Sequence, residues 1–397
     1  MSDTATDQQS VRSPFVRLAE LLEGVAPGQT PINLTVGEPR HGVPDFVAGV
    51  LAGAIDGFGR YPAIRGTADF RNAIGDWLDR RYQLAGALDR DHGILPLNGS
   101  REGLFFALIA AATDKARPGA TVLLPNPFYQ TYAAGAIAAN ARLHMTGCDR
   151  DDGFLPHVGD VSSETLAQSI AAIIASPANP QGAVLSEAMW VDWIKAAQEY
   201  DFLLIADECY SEIYRDTPPV GVLEAAQRNG LSFTNIVTMN SLSKRSNMPG
   251  LRCGFAAGDP AFLSRWAVMR NMVAPQVPEP VQAVAVAAYG DEDHVTAYRA
   301  LYNAKYTLAD EILDGRFGYQ RPQGGFFLWL DAAAYDGGVA AARRLWSQAG
   351  LRVIPGGYLA LPDASGDNPA ERYIRLAMVE SLDVTEAALR RLVDTLT

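Results

Sequence analysis

The sequence predicts an α/β fold in which a mostly parallel sheet is covered by helices, and three observations carry that expectation. Short apolar runs recur through the middle of the chain, at about residues 121–124, 171–176, 202–206, 235–239 and 253–257. They read as strands buried on both faces, since a half-exposed strand would alternate apolar with polar residues. Helical segments lie between them, for example at 187–200 and 261–269. Parallel neighbours need a crossover, and an intervening helix supplies it. The third observation is that several runs end abruptly in polar residues, which is where such a sheet presents groups to a ligand.

With 397 residues and 48% hydrophobic content, the chain can bury two sizeable cores. Its net charge of -12 argues against nucleic acid and anionic membrane surfaces, because both need a basic face. Any anion must therefore be held at a local positive island. No run reaches the roughly 18 apolar residues of a membrane span. Residues 1–10 carry neither a basic start nor an apolar stretch, so they read as a disordered lead-in rather than a signal peptide, and the chain as cytoplasmic. Cys148, Cys209 and Cys253 make no metal spacing and no disulfide framework, and the five histidines are scattered, so no metal site is expected.

In chain order, the first informative segment is Leu97-Asn-Gly-Ser-Arg-Glu-Gly103, which opens an apolar run. A glycine turn at a helix start offers free N–H groups and the positive dipole end to an anion, with the amides of Ser100 and Arg101 as donors. Alone, Ser100 reads equally well as a plain helix cap. After the strand at 121–124 comes Pro125-Asn-Pro-Phe-Tyr-Gln-Thr-Tyr132, where Tyr129 can stack on a flat ring, although aromatic clusters are usually core. The strand from Ala171 ends in Ser176-Pro-Ala-Asn-Pro180, a turn stiffened by its prolines, in which Asn179 can donate through its amide. The run Phe202-Leu-Leu-Ile-Ala-Asp-Glu-Cys-Tyr210 ends at Asp207, and strand alternation sends Glu208 to the opposite face.

The segment Ser241-Leu-Ser-Lys-Arg-Ser-Asn-Met-Pro-Gly-Leu-Arg252 sets Lys244 between two hydroxyls, Ser241 and Ser243, with Arg252 eight residues on. A lysine held at the end of a buried strand can lose its proton and act as an amine nucleophile. Hydroxyls and a guanidinium suit a phosphate monoester. Amine and phosphate site together suggest pyridoxal phosphate. Asp207 can keep its pyridine nitrogen protonated, which makes the ring an electron sink, and Tyr210 and Asn179 can bond its ring oxygen. Last, Glu371-Arg-Tyr-Ile-Arg-Leu-Ala377 reads as a short strand with Arg375 among apolar neighbours, where an unpaired guanidinium is costly. A substrate carboxylate gripped in two places is one partner for it, and a structural salt bridge is the other.

The order of these segments, from phosphate turn to late arginine, resembles that of the class I/II (fold-type I) aminotransferases from about Pro31 to the end of the chain. Asn33-Leu-Thr-Val-Gly-Glu-Pro39 is similar to the family's opening strand, with Gly37 near the substrate carboxylate. Arg60-Tyr-Pro-Ala-Ile-Arg-Gly66 is similar to its Tyr…Gly segment, whose tyrosine reaches the phosphate across a dimer, and the resemblance implies that role for Tyr61. Pro322-Gln-Gly-Gly-Phe-Phe327 and Val353-Ile-Pro-Gly-Gly357 match later landmarks, while Gln181 stands where the family most often has Thr. The resemblance implies a large domain over 46–285 with a seven-stranded, mostly parallel sheet, and a smaller α+β domain from 15–45 and 286–397 after a flexible lead-in over 1–14. That smaller part holds a helix at about 339–349, the Arg375 strand and a helix from Val384. The resemblance also implies an obligate homodimer with the site at its interface. It makes Lys244 the lysine that carries pyridoxal phosphate and Arg252 a phosphate ligand, with Lys244, Asp207 and Tyr210 as the catalytic set. The reaction it implies is ping-pong transfer of an amino group between an amino acid and a 2-oxo acid.

Gly37-Glu-Pro-Arg-His41, Gly99-Ser-Arg-Glu-Gly103 and Asp207-Glu-Cys-Tyr-Ser-Glu-Ile-Tyr214 resemble the branch of the family that acts on N-succinyl-diaminopimelate with glutamate and 2-oxoglutarate. Such substrates carry a distal carboxylate, for which Arg40, Arg65 and Arg245 are candidate cations. Aspartate and aromatic aminotransferases, and carbon–sulfur lyases of the same fold, share the cofactor residues. A ligand-sensing regulator would need a basic DNA-binding segment ahead of the fold, and residues before Pro31 hold no basic cluster.

Overall fold

The computed structural model describes residues 11–273, 275–363 and 365–397. Seven strands make the main sheet: β1 (Ile94–Leu97), β2 (Thr121–Asn126), β3 (Arg142–Gly147), β4 (Ser169–Ala175), β5 (Leu203–Asp207), β6 (Ile236–Ser241) and β7 (Gly254–Gly258). They lie in the order β1-β7-β6-β5-β4-β2-β3. Only β7 runs against the rest, pairing antiparallel with β1 and β6. β4 and β5 are buried at every position, as apolar strands covered on both faces must be. Alternation divides β5 between two cores. Leu204 and Ala206 join Trp77, Trp190 and Trp193 on one face, while Leu203 and Ile205 join Leu104, Tyr132 and Trp266 on the other.

The helices that matter for the site are α1 (Pro14–Leu21), α2 (Ser100–Asp114), α3 (Gln130–Ala138), α4 (Glu187–Glu199), α5 (Leu242–Arg245), α6 (Pro260–Val273), α7 (Asp293–Leu313), α8 (Gly337–Ala349) and α9 (Leu382–Leu396). α4 starts where Ser186 caps the N–H of Met189. A second, antiparallel sheet orders β9 (Ile354–Pro355), β10 (Tyr373–Ala377) and β8 (Phe327–Asp331). Tyr306 of α7, Leu345 of α8 and Leu389 of α9 pack with Leu328 and Leu376 of this sheet. Among the described residues, no helix is long and apolar enough to cross a membrane.

One expectation needs correction, two strands carry no signal in the sequence, and the lead-in lies mostly outside the described residues. The opening strand expected over residues 33–39 is only Ile32–Asn33, paired with Leu351–Arg352. Gly37 and Pro39 suit a crossing segment better than a ladder, and that segment runs over the site described below. β1 and β3 carry no strand-like pattern in the sequence, because β1 contains Pro96 and β3 reads Arg-Leu-His-Met-Thr-Gly. Both are edge strands, the one place where proline and charge are tolerated. Of the lead-in expected over 1–14, residues 1–10 lie outside the described residues, and α1 already begins at Pro14.

Candidate active site

Because six of the seven strands share a direction, their carboxyl ends open on one side of the sheet. The turn after β1, Tyr129 after β2, Asn179 after β4, Asp207 at the end of β5 and Lys244 after β6 all converge there. They border two adjoining compartments of about 950 and 160 Å3, and Gly37, Ser100, Arg101, Tyr129, Cys209 and Lys244 line both.

Lys244 sits in the single turn of α5, whose start is capped by Ser241: its hydroxyl oxygen accepts from the N–H of Ser243 at 3.2 Å. The lysine Nζ donates to the carbonyl of Gly37. A Cβ on residue 37 would meet the Phe327 ring at 2.6 Å, so glycine is what lets the chain cross at this point. Burial pulls the ammonium down from 10.5 to about 8; Cys209 and Glu38 oppose that shift, and Arg101 and Arg375 add to it. The neutral amine is thus about one tenth of the population at pH 7 and about half at pH 8.

Asp207, 7% exposed, is engaged at both oxygens. Oδ2 accepts from the phenol of Tyr132 at 2.6 Å and Oδ1 from the N–H of Cys209 at 3.2 Å. Burial, with Asp207 alongside, pushes the Tyr132 phenol well above its ordinary value, so it remains a donor. Glu208 faces the opposite way, accepting from the phenol of Tyr82 at 2.5 Å and the N–H of Val222 at 2.7 Å. Tyr210 is buried beside the smaller compartment with its ring edge-on to Phe326, and burial raises its phenol well above the ordinary value.

Arg375 projects from β10 into the smaller compartment. Nη1 donates to Oδ1 of Asn179 at 3.1 Å and Nη2 to the carbonyl of Thr35 at 2.7 Å. Its Nε has no acceptor, and no carboxylate of the described residues is within ion-pair range. Burial pulls the guanidinium down to about 10, against the nearby Tyr210. Asn179 is held through its oxygen, which leaves its NH2 group to donate elsewhere.

At the other end, Arg252 adopts a left-handed backbone with φ +56°. Its Nη1 donates to the carbonyl of Pro249 at 2.9 Å and its Nη2 to that of Asn98 at 3.2 Å. Gly99 has φ +82°, and a Cβ there would meet Arg252 Nη2 at 2.4 Å. The first N–H groups of α2 lack intrahelical acceptors, and Oδ1 of Asn98 is buried without a partner. Backbone donors, the hydroxyls of Ser241 and Ser243 and a guanidinium at the rim of a glycine turn fit a phosphate monoester. With a desolvated amine and a fixed carboxylate alongside, these groups suit pyridoxal phosphate.

Not every expected residue comes to this place. Tyr61 is 97% exposed and lines neither compartment. None of the three candidates for a distal cation lines the recess. Arg40 pairs with Glu380, Arg65 donates to the carbonyl of Asp91 at 3.2 Å, and Arg245 is buried against the carbonyl of Ala288 at 2.7 Å and Glu292 at 2.5 Å. One residue along a helix is a turn of about 100°, so Arg245 must leave the side that Lys244 faces. The side chain of Arg101 borders both compartments instead, with Nε donating to the phenol of Tyr129 at 2.5 Å. In the sequence only the backbone amide of Arg101 carries a signal, and Tyr132 reads as one member of an aromatic cluster. Phe15 of α1 and Val36 also line the smaller compartment, and no sequence pattern marked them.

The sequence profile of aminotransferase class I and II matches residues 29–396. The chain is 32% identical over 363 residues to the 4-dedimethylamino-4-oxo-anhydrotetracycline transaminase OxyQ of Streptomyces rimosus, covering 91% of this chain and 92% of that one. It is 31% identical over 350 residues to an LL-diaminopimelate aminotransferase of Desulforudis audaxviator, covering 86% of each. Its fold matches an aminotransferase from Neisseria meningitidis with a TM-score of 0.91 and 35% identity, over 97% of both chains. With the family's profile running through nearly every element, and a recess suited to its cofactor, the chain belongs to the class I and II aminotransferases and is a pyridoxal phosphate-dependent enzyme.

Proposed function

We propose that Lys244 carries the cofactor and moves the proton in an amino transfer between glutamate and the 2-oxo acid of N-succinyl-LL-2,6-diaminopimelate. One observation carries the reading: the Lys244 amine and the Arg375 guanidinium open on the same compartment, with Asp207 on its wall. When bound, the cofactor supplies an aldehyde for the amine and a ring that takes up the electrons of the broken C–H bond.

In this reading the amides of Ser100 and Arg101, the hydroxyls of Ser241 and Ser243, and Arg252 hold the phosphate, and Tyr129 covers the ring. Asp207 faces the ring nitrogen, and Asn179 and Tyr210 bond the ring oxygen. Arg375, with Gly37 and Asn179, grips the substrate α-carboxylate and so turns the α-hydrogen towards Lys244. Lys244, as free amine, takes that proton as general base and returns it as general acid. Its lowered pKa suits both duties near neutral pH.

The same reading divides the chain into 46–285 against 15–45 with 286–397. Lys244 and Asp207 then belong to one part and Gly37 and Arg375 to the other, so a substrate bridges them. It also pairs two copies of the chain, with Tyr61 reaching a phosphate in its neighbour. Ile55, Phe58 and Tyr61 leave large apolar side chains exposed, which suits a surface covered by a second copy. With Arg40, Arg65 and Arg245 turned elsewhere, the distal carboxylate of glutamate or of the succinyl group falls to Arg101. Identity to an LL-diaminopimelate aminotransferase favours a second reading, in which the free diamine replaces the succinylated one.

Single-turnover spectroscopy of the holoenzyme separates these readings. Loss of the lysine-bound cofactor absorbance with glutamate and with N-succinyl-diaminopimelate, restored by 2-oxoglutarate, is the expected result. Conversion by LL-diaminopimelate but not its succinyl derivative selects the second reading. Conversion by neither removes both.

A further inference from the structure

A buried ion pair lies against the turn to which the reading above gives the cofactor phosphate. Arg270 of α6 is 1% exposed, and its Nη1 donates to Oε1 of Glu102 in the first turn of α2. The other oxygen of that carboxylate accepts from the backbone N–H of Asn98 at 3.3 Å. The carbonyl of Asn98 meanwhile accepts from Arg252 at 3.2 Å. Residue 98 is therefore gripped on both sides, by Glu102 and by the Arg252 guanidinium, to which the reading above gives the phosphate.

A carboxylate is a poor neighbour for a phosphate. Glu102 borders the larger compartment, close to the helix end whose positive dipole a phosphate would use. Left bare, it repels a dianion at short range. Packing alone does not account for the pair either, since burying two charges is often no better than burying apolar side chains of the same shape. With Arg270 alongside, the carboxylate can hold the N–H of Asn98 while its charge is cancelled.

We infer that Glu102 and Arg270 are positioning residues for the cofactor phosphate: Glu102 fixes the turn through Asn98, and Arg270 neutralises Glu102 so that the turn accepts an anion. The inference rests on the phosphate placement proposed above.

The test compares binding of pyridoxal phosphate and of pyridoxal, which lacks the phosphate, to the full-length apoenzyme. The ratio of the two dissociation constants isolates what the phosphate contributes. Arg270→Met is expected to lower that preference about ten-fold or more, because the carboxylate is left uncompensated. Glu102→Gln keeps an oxygen for Asn98 and frees the Arg270 charge, so the preference holds or rises. The double variant Arg270→Met/Glu102→Gln returns to within about three-fold of the parent. An unchanged preference in Arg270→Met, or a loss in Glu102→Gln as large as in Arg270→Met, overturns the inference. Should Arg270→Met fail to fold, a lost preference in Glu102→Gln or in the double variant overturns it equally. Arg252→Met serves as the control. If it leaves the preference intact, the phosphate placement itself fails; if it lowers the preference while Arg270→Met does not, only the present inference fails.

Discussion

The phenol of Tyr132 donates to Oδ2 of Asp207 across 2.6 Å, in an interior where Tyr132 is 2% and Asp207 7% exposed. They stand 75 positions apart in the chain, at the start of α3 and the end of β5, so the contact exists only because β2 and β5 send their carboxyl ends to the same side. A hydrogen bond to a charged group in such a place is worth about 1.5–3 kcal/mol. Tyr132→Phe is therefore expected to lower kcat by about ten-fold or more with cofactor content kept. Steady-state kinetics and the absorbance of the purified protein check this, and an unchanged kcat would assign Tyr132 to packing alone.

Lys244→Ala is expected to abolish both turnover and the visible absorbance of lysine-bound cofactor. Retained turnover would remove Lys244 from its role.

The same lysine makes a pH prediction for the apoenzyme. Its pKa in the folded protein, about 8, lies below the 10.5 of an unfolded chain. Between those values the unfolded state binds more protons than the folded one, so stability rises with pH. The penalty of burying the ammonium is in full force below about pH 8 and fades as pH climbs towards 10.5. Thermal melts should show Lys244→Met apoprotein gaining most over wild type below pH 8, with the difference shrinking above it. A pH-independent difference would mean that the amine is not desolvated.

Arg375→Lys keeps a charge but loses the planar fork. KM for every amino-acid substrate is expected to rise by about a hundred-fold with cofactor content unchanged, since two charge-assisted hydrogen bonds become one. A change in kcat alone would point away from ground-state carboxylate binding.

Arg101→Gln separates a distal carboxylate from the α-carboxylate. kcat/KM for glutamate is expected to fall about ten-fold more than for alanine or another monocarboxylic amino acid. Equal losses would return Arg101 to a role with the cofactor.

Much of this molecule was legible before folding, wherever the physics is local. The β4 and β5 runs are apolar at nearly every position, and a strand buried on both faces allows little else. Lys244, Asp207, Asn179 and Arg252 stood out because each interrupts or ends an apolar run with a group that is costly to bury idly. The edge strands were illegible, because Pro96 and the polar β3 are tolerated only at the margin of a sheet, and margin is not a local property. Arg245 was misplaced because its direction depends on how α5 is turned, and a single-turn helix has no periodicity from which to read it.

By itself, the sequence determined which chemical groups the protein carries and in what order they follow the strands, because buried strands and turns select residue types over a few positions. Only the tertiary structure decided which groups share a cavity. Tyr132 bonds Asp207, Glu102 pairs with Arg270 from 168 residues away, and Arg101 rather than Arg245 faces the recess. Those partnerships follow from strand order and helix rotation, which the summed packing of the whole chain settles and no local window contains.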